Sequence, residues 1–228
     1  MAETIKLGQP PIEVTVKQSA RARRISLRVS GLDGKVSLTV PRTARRRDAH
    51  AFLTEKEPWI RSHLQSRPDL VQIAVGTELP VEGMPRRVVI GDVRAPQLTD
   101  AQLLVPAGPD KVASRCLALL KVTARDRLAS ASQKHAETLG RPFHKITLRD
   151  TRSRWGSCTS QGNLMYSWRL ILAPPEVLDY VAAHEVAHLA HMDHSQRFWT
   201  AVGGLCPGYQ TPRAWLRRNG ATLHRYQF

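Results

Sequence analysis

The sequence predicts an α+β protein in which an antiparallel β-rich N-terminal region, residues 1–108, packs on a C-terminal domain, residues 109–228, built around one buried helix. Three observations point there. Apolar and polar residues alternate through 11–40, and short β runs return through 71–106, the pattern of half-buried strands. A helical period then holds from about Asp110 to Leu139. The stretch PPEVLDYVAAHEVAH, residues 174–188, opens on two prolines where missing N–H groups cost nothing, and its apolar residues run nearly all round, the mark of a buried helix.

In the first region Ile12, Val14 and Val16, then Ile25, Leu27 and Val29, then Val36, Leu38 and Val40 read as three strands. Gly31 and Asp33-Gly34 turn the chain between the second and third, so a meander is expected. Arg21, Arg23 and Arg24 stand at the entry to the middle strand, either as a contact for phosphate or acidic peptide or as charge protecting a sheet edge. Residues 45–64 keep helical spacing through Ala49, Phe52, Leu53, Trp59, Ile60 and Leu64, with Pro58 expected to kink or divide the helix. VQIAV, RRVVI and AQLLV, separated by Gly76, Glu82-Gly83 and Gly91-Asp92, read as a second antiparallel set. Ala107-Gly108-Pro109 is the boundary, too short for independent tumbling.

The helix from Asp110 buries Val112, Cys116, Leu119, Leu120 and Leu128 and is closed by Gly140 and Pro142. His135 and His144 read as surface or turn histidines. Strands Lys145–Thr151 and Asn163–Leu172 flank the turn Ser160-Gln161-Gly162. Should the buried helix that follows carry a catalytic site, one of these strands beside it could receive an extended peptide along its edge, and Asn163–Tyr166 is the favoured segment, with Asn163 and Tyr166 as contacts. Arg152, Arg154 and Trp155 either line that cleft or form a structural turn of stacked Arg and Trp. No internal repeat or low-complexity segment is found.

His184, Glu185 and His188 form HExxH, and residues four apart on a helix project from one face, so two imidazoles can grip one ion. Zinc held this way with an open position makes a water acidic enough to attack a carbonyl, and Glu185 on the same turn can take its proton. His194 is the favoured third ligand, five residues beyond His188 as in HExxHxxGxxH, although His191 stands where that pattern has Gly. His191 itself is the rival, on the same stripe if the helix continues. Asp193 and Gln196 read as a capping pair that fixes His194 at the start of a helix carrying Phe198 and Trp199, and Thr211-Pro212 opens a further short helix. Asp179 is a weak candidate to orient a ligand imidazole, and Tyr209 reads as packing rather than as an oxyanion donor.

Composition narrows the setting. The 228 residues suffice for one large domain or two small ones, and no run of eighteen apolar residues exists, so no membrane span is expected. With no basic flank leading into an apolar stretch at the N-terminus, the expected compartment is the cytoplasm. Cys116, Cys158 and Cys206 cannot all pair within the chain and show no CxxC spacing, so they read as reduced thiols; Cys158 is a conceivable ligand but more naturally a packing residue. The net charge of +15 lies mostly beyond residue 110, where 17 Lys and Arg face 7 Asp and Glu. That field suits polyanions, nucleic acid among them, or acidic proteins, and a solvated basic surface explains it equally well.

Residues 149–199, RDTRSRWGSCTSQGNLMYSWRLILAPPEVLDYVAAHEVAHLAHMDHSQRFW, resemble the YgjP-like metal-dependent hydrolases, a zincin family related to the SprT-like and WLM peptidases. The marks are RWGSC, WRLILAPP, HExxH and HSxxFW from His194 to Trp199, with weaker likeness in RRISLRV and LHRY. The resemblance implies a zincin-like metallopeptidase domain with one Zn²⁺ per chain, His184, His188 and His194 as ligands, Glu185 as catalytic base, and a peptide or protein substrate. Two other readings stay open: the same machinery acting on a different amide or ester, and a nucleic-acid-associated binding module whose zinc is structural. A structural zinc is closed by four protein ligands, whereas a catalytic one keeps a position for water. Oligomeric state is not legible.

Overall fold

Alternating valines and leucines build the first sheet as expected, but in a different order. The computed structural model describes residues 3–31, 33–65 and 69–228, which divide into two compact units at Asp69 and Leu70. In the first unit β1 (Glu3–Leu7), β2 (Ile12–Ser19), β3 (Ser26–Val29) and β4 (Val36–Pro41) form one sheet in the order β1-β2-β4-β3. It is no meander: β2 and β4 run parallel, with Val14 opposite Val36 and Val16 opposite Leu38. The Ser30–Lys35 hairpin folds β3 back onto the outer side of β4, leaving β4's inner side to the earlier strand. Helix α1 (Arg46–Gln65) adds Ala49, Leu53 and Ile60 to the valine core. It runs unbroken through Pro58, an exposed position, so the ring costs one backbone hydrogen bond without disturbing the core.

The second unit repeats that topology. After the short strand β5 (Val71–Gln72) come β6 (Glu78–Val81), β7 (Met84–Ile90), β8 (Gln97–Leu98) and β9 (Gln102–Val105), in the order β6-β7-β9-β8. Here too the first pair is antiparallel, the central pair β7 and β9 parallel and the last pair a hairpin, so the set is mixed rather than antiparallel. A helix follows in both cases, a structural recurrence without visible sequence repetition. The boundary expected at 107–109 falls inside this unit, because Leu103 and Val105 of β9 share one core with Val112, Cys116 and Leu120 of α2 (Val112–Leu139).

Gly140 ends α2 in the left-handed conformation, donating its N–H to the carbonyls of Ala136 and Glu137. A three-stranded sheet follows, with β10 (Lys145–Arg149) parallel and β11 (Gly156–Cys158) antiparallel to the central β12 (Asn163–Ser167). The strand read as Asn163–Leu172 stops at Ser167, where Trp168–Leu172 wind into a buried 3-10 turn. Helices α3 (Pro175–Ala187), α4 (Gln196–Leu205) and α5 (Gln210–Asn219) complete the unit, and a final strand β13 (Tyr226–Gln227) lies parallel to β5. Arg169 ties this end down: its guanidinium donates to both carboxylate oxygens of Asp150 at 2.7 and 3.0 Å and to the carbonyls of Leu223 and Tyr226. The fold is thus a mixed α+β structure of five α-helices and several small sheets among the described residues. None of those helices is long and apolar enough to cross a membrane.

Candidate metal centre

Burial of α3 on nearly every side is what makes its histidines informative. Val177, Val181, Ala182, Ala183 and Val186 are all but inaccessible, and Glu185 is 5% exposed. Ala187 is the last helical residue and His188 takes the C-cap, after which Leu189, Ala190 and His191 donate back to the carbonyls of Val186 and Ala187. The chain turns, and His194 returns just ahead of α4. Asp193 Oδ1 accepts the N–H of Ser195 at 3.2 Å, so the expected capping residue acts, but as a local turn without Gln196.

The ligand atoms of His184, His188 and His194 all lie within 4.8 Å of one another, and the Nε2 atoms of His184 and His194 are 3.3 Å apart. His191, the rival, is outside this group. Its contribution is its backbone: His188 Nδ1 donates to the His191 carbonyl at 2.9 Å, which fixes that tautomer and leaves the Nε2 lone pair free. His184 Nδ1 is buried without a hydrogen-bond partner. Phe198 stacks on the His188 ring at 4.4 Å and meets His184 and His194 edge-on, while Trp199 packs against both of those rings.

Electrostatics agree with this arrangement. Burial, then the neighbouring His188, His194 and Arg213, pushes His184 down to about 3, and burial likewise lowers His188, so both imidazoles are neutral near pH 7. Neutral nitrogens bind cations. The donor set therefore fits a divalent metal ion, and no fourth protein donor joins it among the described residues. Glu185, one residue along, is pushed up to about 8 by burial, against the opposing charge of Arg154.

The neighbourhood of Glu185 corrects several expectations. β12 is paired on both sides, so Asn163–Tyr166 offers no free edge; β11 is the edge strand that passes the carboxylate. Tyr166 is wholly buried and shares a 2.9 Å hydrogen bond with Ser132, which makes it a core residue. Trp155 is half-buried against His224 at 5.2 Å, whereas Arg154 is exposed and Asn163 stands half-buried in a groove beside β11. Asp179 accepts from His135 Nε2 at 2.9 Å and, among the described residues, has no hydrogen bond to the three clustered imidazoles; His135, taken for a surface or turn residue, is 1% exposed. Cys158 lies close enough for Glu185's charge, after burial, to help raise its thiol to about 11, and it belongs to no metal-binding group among the described residues. Tyr209 is stacked between Tyr180 and Trp199.

Two features escaped sequence reading. One is the His191 carbonyl, since a backbone contact leaves no residue-type signal. The other is Gly156, whose signal was present in RWGSC: a Cβ there would lie 2.5 Å from Glu185 Oε1.

Among solved structures, a crystal structure of the metallopeptidase zymogen abylysin from Pyrococcus abyssi is similar over 44% of this chain and 99% of its own. The identity is 20% and the TM-score 0.38. No curated protein matches. The family models give a broader match, since the YgjP-like metallopeptidase domain spans residues 23–219 and so reaches into both compact units, and on that extent the chain belongs to the YgjP-like family.

Proposed function

We propose that the protein is a zinc-dependent peptidase in which His184, His188 and His194 hold the ion and Glu185 is the general base. The observation that carries this reading is the convergence of three imidazole nitrogens within 4.8 Å, one residue from a buried carboxylate. Zinc, when bound, supplies Lewis acidity that makes a water nucleophilic and polarises a carbonyl. Glu185 accepts the proton of the attacking water on a carboxylate oxygen and returns it to the leaving amine. His188 is held in the metal-binding tautomer by the His191 carbonyl, and Phe198 and Trp199 keep the ligand rings apolar on their outer sides. Three protein donors rather than four favour a catalytic over a structural ion. Substrate backbone adds to the edge of β11, the strand whose Gly156 lies against Glu185. This arrangement is zincin-like: a metal helix with a substrate-binding strand alongside.

The test joins metal analysis of the purified protein to a peptide-library digest with Glu185→Gln as control. One zinc per chain and cleavage lost in the variant are expected. Undiminished cleavage by Glu185→Gln overturns the mechanism.

A further inference from the structure

A groove of about 460 Å³ is lined by residues of all three strands of the β10-β12-β11 sheet and by the 151–154 loop, and none of the three clustered histidines lines it. Arg149, Arg152 and Arg154 line it together with hydroxyls such as Ser157 and Thr159, and no carboxylate does. Among the described residues neither Arg149 nor Arg152 has an ion-pair or hydrogen-bond partner, and Arg154, whose charge also reaches Glu185, forms no close ion pair. Elsewhere in the same unit Arg86, Arg127 and Arg169 are each bound to an acid. Alternation along β11 explains the position: Ser157 and Thr159 face the groove, while Gly156 and Cys158 face Glu185's side.

Resting on the peptidase reading above, we infer that this groove selects acidic peptides, by receiving Asp, Glu or phosphorylated side chains of a chain docked on β11. A strand added to that edge presents every second side chain to the Ser157 face, where the guanidinium groups of Arg149 and Arg152 have no acidic partner and Arg154 adds a third positive charge. Nucleic acid suits it less. Single strands are held by aromatic platforms as well as charge, and this groove has no aromatic lining residue, its apolar floor being Leu164 and Met165.

The test is fluorescence anisotropy on zinc-loaded Glu185→Gln protein, which binds without cutting. The probes are a labelled decapeptide with Asp at alternate positions and the same peptide with Asn. The Asp peptide is expected to bind about tenfold more tightly, with the margin shrinking as salt rises. In Arg149→Gln/Arg152→Gln the two peptides should bind about equally; the comparison between peptides on unaltered arginines keeps the test valid even if that variant folds poorly. Equal binding of the Asp and Asn peptides overturns the inference. So does competition by an oligothymidine of matched charge as strong as that by the Asp peptide. A tenfold preference in binding with no cleavage of either peptide by the unsubstituted protein would instead overturn the peptidase reading and leave the groove an acidic-peptide site.

Discussion

Gly156 of β11 and Glu185 of α3 are in such close apposition that an ideal Cβ on the glycine would fall 2.5 Å from the carboxylate's Oε1 and 2.6 Å from its Cγ. The side chain proposed to move the proton is therefore positioned by a strand that has no side chain of its own at that point. Gly156→Ala should displace Glu185 while leaving the three imidazoles in place. The expected outcome is a fall in kcat of roughly 100-fold or more with one zinc retained, checked by steady-state kinetics alongside metal content.

Replacing the third imidazole separates the two rival histidines. His194→Ala should weaken zinc binding by more than about 100-fold, beyond the usual cost of losing an outer contact, as read by chelator competition. His191→Ala should leave zinc affinity nearly unchanged, because that residue contributes its carbonyl and not its ring.

Arg169 is buried and serves four acceptors at once. Arg169→Met keeps the volume but leaves two backbone carbonyls without their donor, while half-exposed Asp150 can rehydrate. A loss of about 2–3 kcal/mol is expected, seen as a fall in Tm of roughly 5–10 °C by calorimetry.

His224 gives the protein an acid-sensitive stability. Burial, then the charge of Arg169, pushes its imidazole down to about 4 despite the attraction of Asp150. Between about pH 6.5 and 4 the unfolded chain binds a proton there that the native state refuses, so stability falls as pH drops through that window and is flat above it. His184, pushed down to about 3, adds a loss of the same sign. His224→Gln should flatten part of the Tm profile between pH 6.5 and 4 by a few °C and leave it unchanged above pH 7, as followed by thermal melts in metal-free buffer.

The three-histidine cluster was legible because its geometry is local: His184 and His188 four apart at the end of one helix, and His194 six residues on, where the chain has turned back. Strand existence was legible for the same reason, as in Val14 to Val16 or Val36 to Val40. Strand order was not. Alternation tells which residues face a core but not which strand lies next to which, so the parallel pairs β2–β4 and β7–β9 and the central place of β12 stayed hidden. The same gap made Asn163–Tyr166 read as a free edge, although β12 is paired on both sides and Tyr166 is a core residue. Partners far apart in the chain, His135 with Asp179 and Gly156 with Glu185, were likewise out of reach until folding brought them together.

The first unit contains, within residues 3–65, every strand and the helix that its own valine core requires. During synthesis that core has all its parts before the ribosome has made the histidine-bearing helix, so the N-terminal portion can close as the chain emerges. The second unit has no such head start: Tyr226 and Gln227 pair with Val71 and Gln72, and that clasp waits until about 150 further residues have been made.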